Sequence, residues 1–181
     1  ATSVYGDHNG EWVNEKSLTK PTSENGISRL AAEEKWVSIY KESNIPIQIF
    51  RLSGIYSNSS NILKRLKNGS AKIIDKKNHF FSRIHLDDIT NILVESMANF
   101  KGGEIYNISD DRPASTAEIT TFAAKLLKIK IPEKITPDEL QDGMLKNFYR
   151  DSKKVNNDKM KKFFKYKLKF PSFIEGLKFI K

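Results

Sequence analysis

The sequence of 181 residues predicts an α/β protein with a mainly parallel sheet. Segments with helical spacing of apolar residues alternate along the chain with short apolar runs. The clearest run, residues 45–52, carries apolar side chains on both parities, which is typical of a parallel strand covered on both faces. Because helix start signals crowd the last third of the chain, we expect a helical lobe packed at the edge of this sheet.

The elements of the first half follow from local patterns. Residues 2–5 are expected to end a strand, and residues 23–43 to form a helix with its apolar positions mostly on one face. After the strand over 45–52, residues 60–67 are predicted to form a short helix and residues 71–75 another strand. This order of elements is that of a parallel α/β unit.

The clearest helix signal begins at Asp87, because apolar residues follow it at nearly ideal helical spacing and Gly102 and Gly103 end the pattern. Residues 104–109 then return as a strand. Residues 152–164 are a further predicted helix, with Val155, Met160, Phe163 and Phe164 on its buried side. Three capping boxes mark other helix starts, at Ser115 with Glu118, Thr136 with Glu139, and Ser172 with Glu175.

Composition narrows the classes of protein that the chain can belong to. It has no cysteine, which excludes disulfides and thiolate-bound metals, and it has no apolar run long enough for a membrane-spanning helix. We therefore expect a soluble, cytoplasmic protein folded as one unit. Within that unit, residues 1–110 would hold the sheet and residues 111–181 the helical lobe.

The positive charge is concentrated at the end of the chain. Residues 146–181 contain 12 Lys and Arg against 3 Asp and Glu, which accounts for the whole net charge of +9. A solvated basic face is the favoured interpretation, because charge runs usually face water. A nucleic-acid-binding surface stays open as an alternative, although no RNA-binding or helix-turn-helix motif supports it.

Several short motifs occur in a characteristic order. They are Val4-Tyr5-Gly6, the Gly26 to Glu33 segment, Arg51-x-x-Gly54-Ile55-Tyr56, Arg83-x-His85-x-Asp87-Asp88, Ile105-Tyr106-Asn107, Asp151-Ser152-Lys153-Lys154 and Glu175-Gly176-Leu177. In this order the chain resembles the NAD-dependent epimerase/dehydratase family, the extended short-chain dehydrogenases. The resemblance spans almost the whole chain and implies a Rossmann-like, doubly wound parallel sheet with a substrate lobe.

The glycine-rich turn that holds the dinucleotide pyrophosphate in that family has no counterpart here. Because Val4-Tyr5-Gly6 resembles the family's fifth strand, we expect on the order of 110 to 120 residues to precede Ala1 in a longer parent. The N-terminal dinucleotide-binding half would then be missing. NAD or NADP is the expected cofactor of that parent, and tight binding to this chain alone is not expected.

The catalytic positions depart from the family pattern. The family's Tyr-x-x-x-Lys pair falls on Asn25 and Arg29, and its catalytic Ser or Thr falls on Ala1. Asn has no titratable proton, so it cannot act as a general acid or base. The resemblance is therefore closest to the atypical branch of the superfamily. Arg29 could instead contact ribose or pair with Glu33 one helical turn later, and both interpretations stay open.

The resemblance also assigns binding positions. Arg29, Gly54 and Ile55 are the expected cofactor contacts, and the expected substrate contacts are Tyr5, Tyr56 and Arg83. Arg83 lies two residues after Phe81, which occupies the family's diphosphate-binding Arg position, so a phosphorylated or carboxylated substrate is one alternative.

Three further polar positions have separate interpretations. His8 is a candidate proton shuttle in the loop after the first strand. Asp87 and Asp88 are interpreted as residues that cap the following helix and compensate its dipole. No metal site is expected.

The sequence leaves three functions open. The first is the C-terminal portion of an atypical NAD(P)-dependent epimerase, dehydratase or reductase acting on a small, nucleotide-linked or phosphorylated substrate. The second is a non-catalytic NAD(P)-binding sensor or scaffold of the same fold, and the third is the nucleic-acid module. Expected partners are a small-molecule substrate and a second copy of the chain, with no membrane.

Overall fold

Strands and helices alternate along the chain in a computed structural model that describes residues 1–139 and 149–181. The strands are β1 (Trp12–Val13), β2 (Gln48–Leu52), β3 (Gly54–Tyr56), β4 (Ile73–Ile74), β5 (Arg83–His85), β6 (Glu104–Ile108), β7 (Lys134–Ile135) and β8 (Lys154–Val155). The helices are α1 (Glu24–Ser43), α2 (Ile62–Lys67), α3 (Leu86–Ala98), α4 (Thr116–Leu127), α5 (Asp158–Phe164) and α6 (Phe173–Ile180). The predicted α/β class with parallel pairing is confirmed.

The strand pairs of the described residues are β2 with β6, β3 with β5, β1 with β8 and β4 with β7, each of them parallel. β2 and β3 are separated only by Ser53, where the chain changes partner. The Ser53 amide donates to the carbonyl of Ile108, whereas the Gly54 amide donates to the carbonyl of Ser82. The expected single wide sheet is therefore divided into short pairs within the described part of the chain. Residues 111–181 also contribute two of these strands, so they are not purely helical.

Residues 2–5 form a 3₁₀ turn, Thr2–Tyr5, and the prediction of a strand there is wrong. A strand needs a neighbour to pair its backbone groups. Here two of the amides bond within the turn: Val4 donates to the carbonyl of Ala1 at 3.3 Å, and Gly6 to that of Ser3 at 3.1 Å.

Residues 152–164 also differ from the prediction of one helix. Residues 154–155 are strand β8, whose partner is β1, and the helix begins only at Asp158. The Val155 amide donates to the Ser82 hydroxyl at 2.9 Å. Pairing with β1 and this side-chain contact satisfy backbone groups that a helix would have used.

Helix α1 begins where the sequence predicts, with the Ser23 hydroxyl accepting from the Gly26 amide. Its buried residues are Gly26 and Glu33, whereas the apolar Ile27 and Trp36 are more than half exposed. Gly26 is required by close packing, because a Cβ there would lie 2.9 Å from the carbonyl oxygen of Ser3. The start of α1 is thus held against the N-terminal turn.

Helix α3 is capped by a residue other than the one predicted. The Nδ1 atom of His85, rather than a side chain of the aspartate pair, accepts from the Asp87 amide at 3.1 Å. Asp88 is fully buried, and its carboxylate accepts from the Tyr166 hydroxyl and from the amides of Lys169 and Phe170. It therefore anchors the segment between α5 and α6, and the capping interpretation of Asp88 is wrong. Both aspartates do lie in the first turn of α3, where the helix dipole favours a negative charge.

The capping boxes at Ser115 and Ser172 are confirmed as the starts of α4 and α6. At Thr136 the Glu139 carboxylate accepts from the Thr136 hydroxyl at 2.8 Å, and a 3₁₀ turn covers Pro137–Glu139. The continuation of that predicted helix lies outside the described residues. In residues 1–139 and 149–181, no helix combines the length and apolar character needed to cross a bilayer.

Candidate functional site

A cavity of about 920 Å³ opens between α1, β3, α2, α4 and α6. Its lining includes the N-terminal turn, the first residues of α1, and residues of α2 and α4. Strands β3 and β5 contribute Gly54, Ile55, Tyr56 and Arg83. The cavity therefore lies along β3 and beside the start of β5.

Arg83 supplies a positive charge to this lining. Its Nη1 donates to the backbone carbonyls of Phe81 and Ala114, at 3.1 and 3.2 Å. No carboxylate of the described residues forms an ion pair with it. Burial lowers the pKa of Arg83 to about 10, a value at which the guanidinium is still charged near neutral pH. A charged group with unused donors is suited to an anion.

Tyr56 is fixed between the cavity and the core. Its ring lies 5.1 Å from the ring of His85, and its hydroxyl is 3.5 Å from the carbonyl oxygen of Ser172. Burial, with the nearby Asp110 carboxylate, raises the pKa of Tyr56 far above its ordinary value. The hydroxyl therefore stays protonated, and Tyr56 can form hydrogen bonds in the cavity lining but is not suited to act as a base.

Asn25 lines the cavity at the start of α1, beside Ser3. The resembled family has an ionisable tyrosine at this position. The asparagine that replaces it here is therefore a cavity residue. Thr2 and Ser3 supply hydroxyls to the same lining. These groups can donate and accept hydrogen bonds, but they do not titrate near neutral pH.

Tyr5 and Arg51 lie in the core and not in the cavity wall. Tyr5 is fully buried, its hydroxyl donating to Asn107 at 2.7 Å and accepting from Arg51 at 2.9 Å. Arg51 forms a bidentate pair with Glu33. Tyr5, the predicted substrate contact, is therefore absent from the cavity lining, and its hydroxyl is engaged within the core.

Arg29 and His8 are also absent from the cavity lining. Arg29 is exposed on α1, and its suggested partner Glu33 is bound by Arg51 instead. His8 is half-buried, and its Nε2 lies 3.1 Å from the carbonyl oxygen of Tyr5 and 3.2 Å from that of Leu18. Neither placement brings the side chain to the cavity that Gly54, Ile55 and Arg83 share.

Sequence reasoning assigned no site role to several cavity residues, because they come from segments that are distant along the chain. Two of them, Asp151 and Lys153, belong to a motif whose contribution to a site the sequence does not indicate. The additional polar lining residues are Asn61, Arg65, Thr116, Thr120, Tyr149, Asp151 and Lys153. Thr120 is fully buried, and its hydroxyl has no hydrogen-bond partner among the described residues. A buried polar atom without a partner is costly, so it is suited to contact a ligand.

The basic C-terminal segment is partly neutralised by contacts within the fold. Lys159 pairs with Glu104 at 2.7 Å, Lys161 with Asp111 at 2.8 Å, and Lys169 with Asp87 at 2.8 Å. These pairs place the lysines on different parts of the surface. Across residues 1–139 and 149–181, no three His, Asp or Glu side chains converge as metal ligands would.

Comparisons with known proteins agree with this fold. A conserved protein of unknown function from Silicibacter pomeroyi is 36% identical, with a TM-score of 0.94 over 99% of this chain and 63% of its own length. A dTDP-glucose 4,6-dehydratase from Bacillus anthracis, solved with NAD, is 21% identical with a TM-score of 0.81, over 98% of this chain and 57% of its own. A UDP-glucuronic acid 4-epimerase from Bacillus cereus, also with NAD, is 21% identical with a TM-score of 0.77, over 97% and 56%.

These structural neighbours include enzymes of the epimerase/dehydratase class, which supports the Rossmann-like fold that the motifs imply. The chain spans about 56 to 63% of the length of these three neighbours. No protein-family model and no curated protein matches the sequence.

Proposed function

We propose that this chain carries the substrate-binding part of an atypical NAD(P)-dependent epimerase, dehydratase or reductase, and that its cavity binds an anionic, nucleotide-linked or phosphorylated ligand. The observation that carries the proposal is Arg83, a charged side chain in the cavity wall without a carboxylate partner among the described residues. The fold supports this general kind of enzyme, because neighbours of the same architecture act on dTDP-glucose or UDP-glucuronic acid.

The cavity wall offers distinct roles to a ligand of this class. The Arg83 guanidinium would bind a phosphate or carboxylate, and Arg65 adds a second positive charge at the α2 side. The hydroxyl of Thr120 would gain the partner it lacks. At the start of α1, Asn25 would orient a hydroxyl of the ligand but would not take its proton.

The residues present fit only one part of a dinucleotide cofactor. Gly54 and Ile55 line the cavity, and Gly54 has no side chain between β3 and the incoming ligand. NAD or NADP would supply hydride transfer when bound. However, the sequence contains no G-x-G-x-x-G turn for the pyrophosphate, and Arg29 does not line the cavity. We therefore expect this chain alone to bind NAD no better than weakly, and micromolar affinity in calorimetry would contradict this.

Replacing Arg83 tests the anion site. We expect UDP-glucuronic acid to bind the full chain, and Arg83→Gln to weaken that binding roughly 10- to 100-fold, because a hydrogen bond to a charged group contributes about 1.5 to 3 kcal/mol. Arg112→Gln is the matched control, since Arg112 pairs with Glu118 outside the cavity lining. Titration calorimetry measures both, with circular dichroism confirming that each variant is folded.

Equal affinities of wild type and Arg83→Gln would overturn the role of Arg83, and failure of wild type to bind UDP-glucuronic acid or dTDP-glucose would overturn the proposed class of ligand.

A non-catalytic cofactor-binding sensor or scaffold is the second candidate, favoured by Asn25 at the tyrosine position. Restoring the pair with Asn25→Tyr and Arg29→Lys in a longer, cofactor-binding protein separates the two. A cytoplasmic location and a homodimer remain predictions.

A further inference from the structure

Lys153 brings an amine to the cavity from the basic C-terminal segment, where it belongs to the Asp151-Ser152-Lys153-Lys154 motif. It directly precedes β8 and lines the cavity, and its side chain is only 13% exposed. Its Nζ donates to the carbonyl oxygen of Gly6 at 2.8 Å. The amine is therefore held in place by the turn that follows the N-terminal 3₁₀ segment.

The charged groups around Lys153 include two carboxylates, one of which forms an ion pair with it. The Asp151 carboxylate is 3.8 Å from Nζ and accepts from the Thr22 hydroxyl at 2.6 Å. The Asp7 carboxylate, on the loop after the N-terminal turn, accepts from the Ser152 amide at 2.8 Å. His79 donates from Nε2 to the Asp151 carbonyl oxygen. Burial lowers the pKa of Lys153 despite the two carboxylates, which act in the opposite direction.

The phenols and guanidinium groups of the cavity lining are less suited to exchange a proton. Burial raises the pKa of Tyr149, as it does that of Tyr56, so both phenols hold their protons more firmly. The guanidinium groups of Arg65 and Arg83 stay charged near neutral pH. Burial lowers the pKa of Lys153 as well as that of Arg83, but the lysine amine has the lower ordinary pKa and is the more readily deprotonated of the two.

We propose that Lys153 exchanges a proton with the ligand in this cavity, in the role that an ionisable side chain at position 25 would otherwise have. The inference rests on the proposed function. The ammonium transfers one proton from Nζ to a ligand oxyanion and becomes a neutral amine, which still donates to the Gly6 carbonyl. The reverse transfer returns the proton from a ligand hydroxyl to Nζ. The proton transfer between Nζ and the ligand therefore requires no other reactant.

The first test measures the ionisation of Lys153 directly. The full chain is treated with trace acetic anhydride over a range of pH, and mass spectrometry follows acylation of the Lys153 peptide. The reference is the same lysine in the chain unfolded in urea. We expect the reactivity of folded Lys153 to titrate at lower pH than that of the unfolded reference. Titration at the same or higher pH would overturn the proposal.

The second test measures proton exchange with the ligand. Calorimetry with UDP-glucuronic acid is run in buffers of different ionisation enthalpy, at a pH near the midpoint measured for acylation of folded Lys153. An anion beside Lys153 favours its charged form, so wild type is expected to take up protons on binding. Lys153→Arg keeps the charge and a donor for Gly6 but is permanently protonated, so binding should persist within a few-fold while proton uptake is lost.

Lys35→Met, at an exposed position on α1, is the matched control and should retain the uptake. Equal uptake by wild type and Lys153→Arg would overturn the proposal, because another group would then be the source. Failure of UDP-glucuronic acid to bind wild type, with the acylation midpoint still lowered, would overturn the proposed function instead. The two failures are therefore distinguishable.

Discussion

Glu33 and Arg51 form a buried ion pair that holds α1 against β2. Both side chains are less than 10% exposed, and the Arg51 Nε donates to both Glu33 oxygens at 3.1 Å. Through Nη1, Arg51 also reaches the Tyr5 hydroxyl. Arg51, the first residue of the Arg51-x-x-Gly54-Ile55-Tyr56 motif, therefore stabilises the core.

Removing one partner of this pair should destabilise the fold strongly. We expect Glu33→Ala to lower the free energy of unfolding by about 3 to 5 kcal/mol, because Arg51 would be left as a buried, uncompensated charge. Glu34→Ala, at the exposed neighbouring position, should change it by less than about 0.5 kcal/mol. Urea denaturation measures both. Similar losses for the two variants would show that the pair contributes little.

His79 should make stability depend on pH. Burial lowers the pKa of His79 from 6.5 to about 4, and its ring is stacked on Tyr149 with centroids 5.1 Å apart. The unfolded chain therefore binds a proton at higher pH than the folded chain. The contribution is fully present above about pH 6.5 and is lost as the pH falls towards 4.

Comparing wild type with His79→Gln isolates that contribution. Between pH 6.5 and 4, wild type should lose more stability than the variant, by at most about 1.4 kcal/mol per pH unit. Urea denaturation at several pH values provides the two curves. Parallel curves across this range would contradict the assignment to His79.

At the level of elements, Gly176 sets how closely α6 approaches β3. A Cβ at Gly176 would lie 2.1 Å from the Tyr56 hydroxyl oxygen and 2.7 Å from two ring carbons. An overlap of this size with a buried, tightly held ring requires one element to move. The small residue in the middle of α6 is thus explained by the packing of a cavity residue.

This contact predicts a change of sign between two backgrounds. In wild type, Gly176→Ala should be destabilising, because the new methyl group overlaps Tyr56. In a Tyr56→Ala background the same substitution should stabilise by up to about 1 kcal/mol, since alanine is the better helix former. Thermal unfolding of the four proteins gives a coupling energy, expected to be about 1 to 3 kcal/mol. Additive effects would contradict this close approach of α6 to β3.

For the molecule as a whole, the basic C-terminal segment is expected not to bind nucleic acid tightly. Lys159, Lys161 and Lys169 are each paired with an acidic residue from another segment, and Lys153 is largely buried. Little binding to mixed-sequence RNA is therefore predicted at physiological salt. Each phosphate contact would lower log affinity by about 0.7 to 0.9 per log unit of salt. Fluorescence anisotropy across salt concentrations checks this, and submicromolar binding with a steep slope would revive the nucleic-acid alternative.

Features that depend on near neighbours in the chain could be predicted from the sequence. The starts of α1, α4 and α6 follow from capping side chains within three residues of the amides they satisfy. The alternation of helices and strands likewise follows from apolar spacing. The substitution at Asn25 needs no structure to be noticed, because it rests on the identity of one side chain in an ordered set of motifs.

Strand pairing, burial and the membership of the cavity became visible only in the folded chain. Strands β1, β5 and β8 are two or three residues long, too short for a periodic pattern, and their partners lie far away along the chain. Nothing in the local sequence distinguishes Lys153 from the other lysines of the basic C-terminal segment as a cavity residue. Only folding places its amine against the Gly6 carbonyl. The physical reason is the same in each case: desolvation and hydrogen bonding depend on atoms from segments that only the fold brings together.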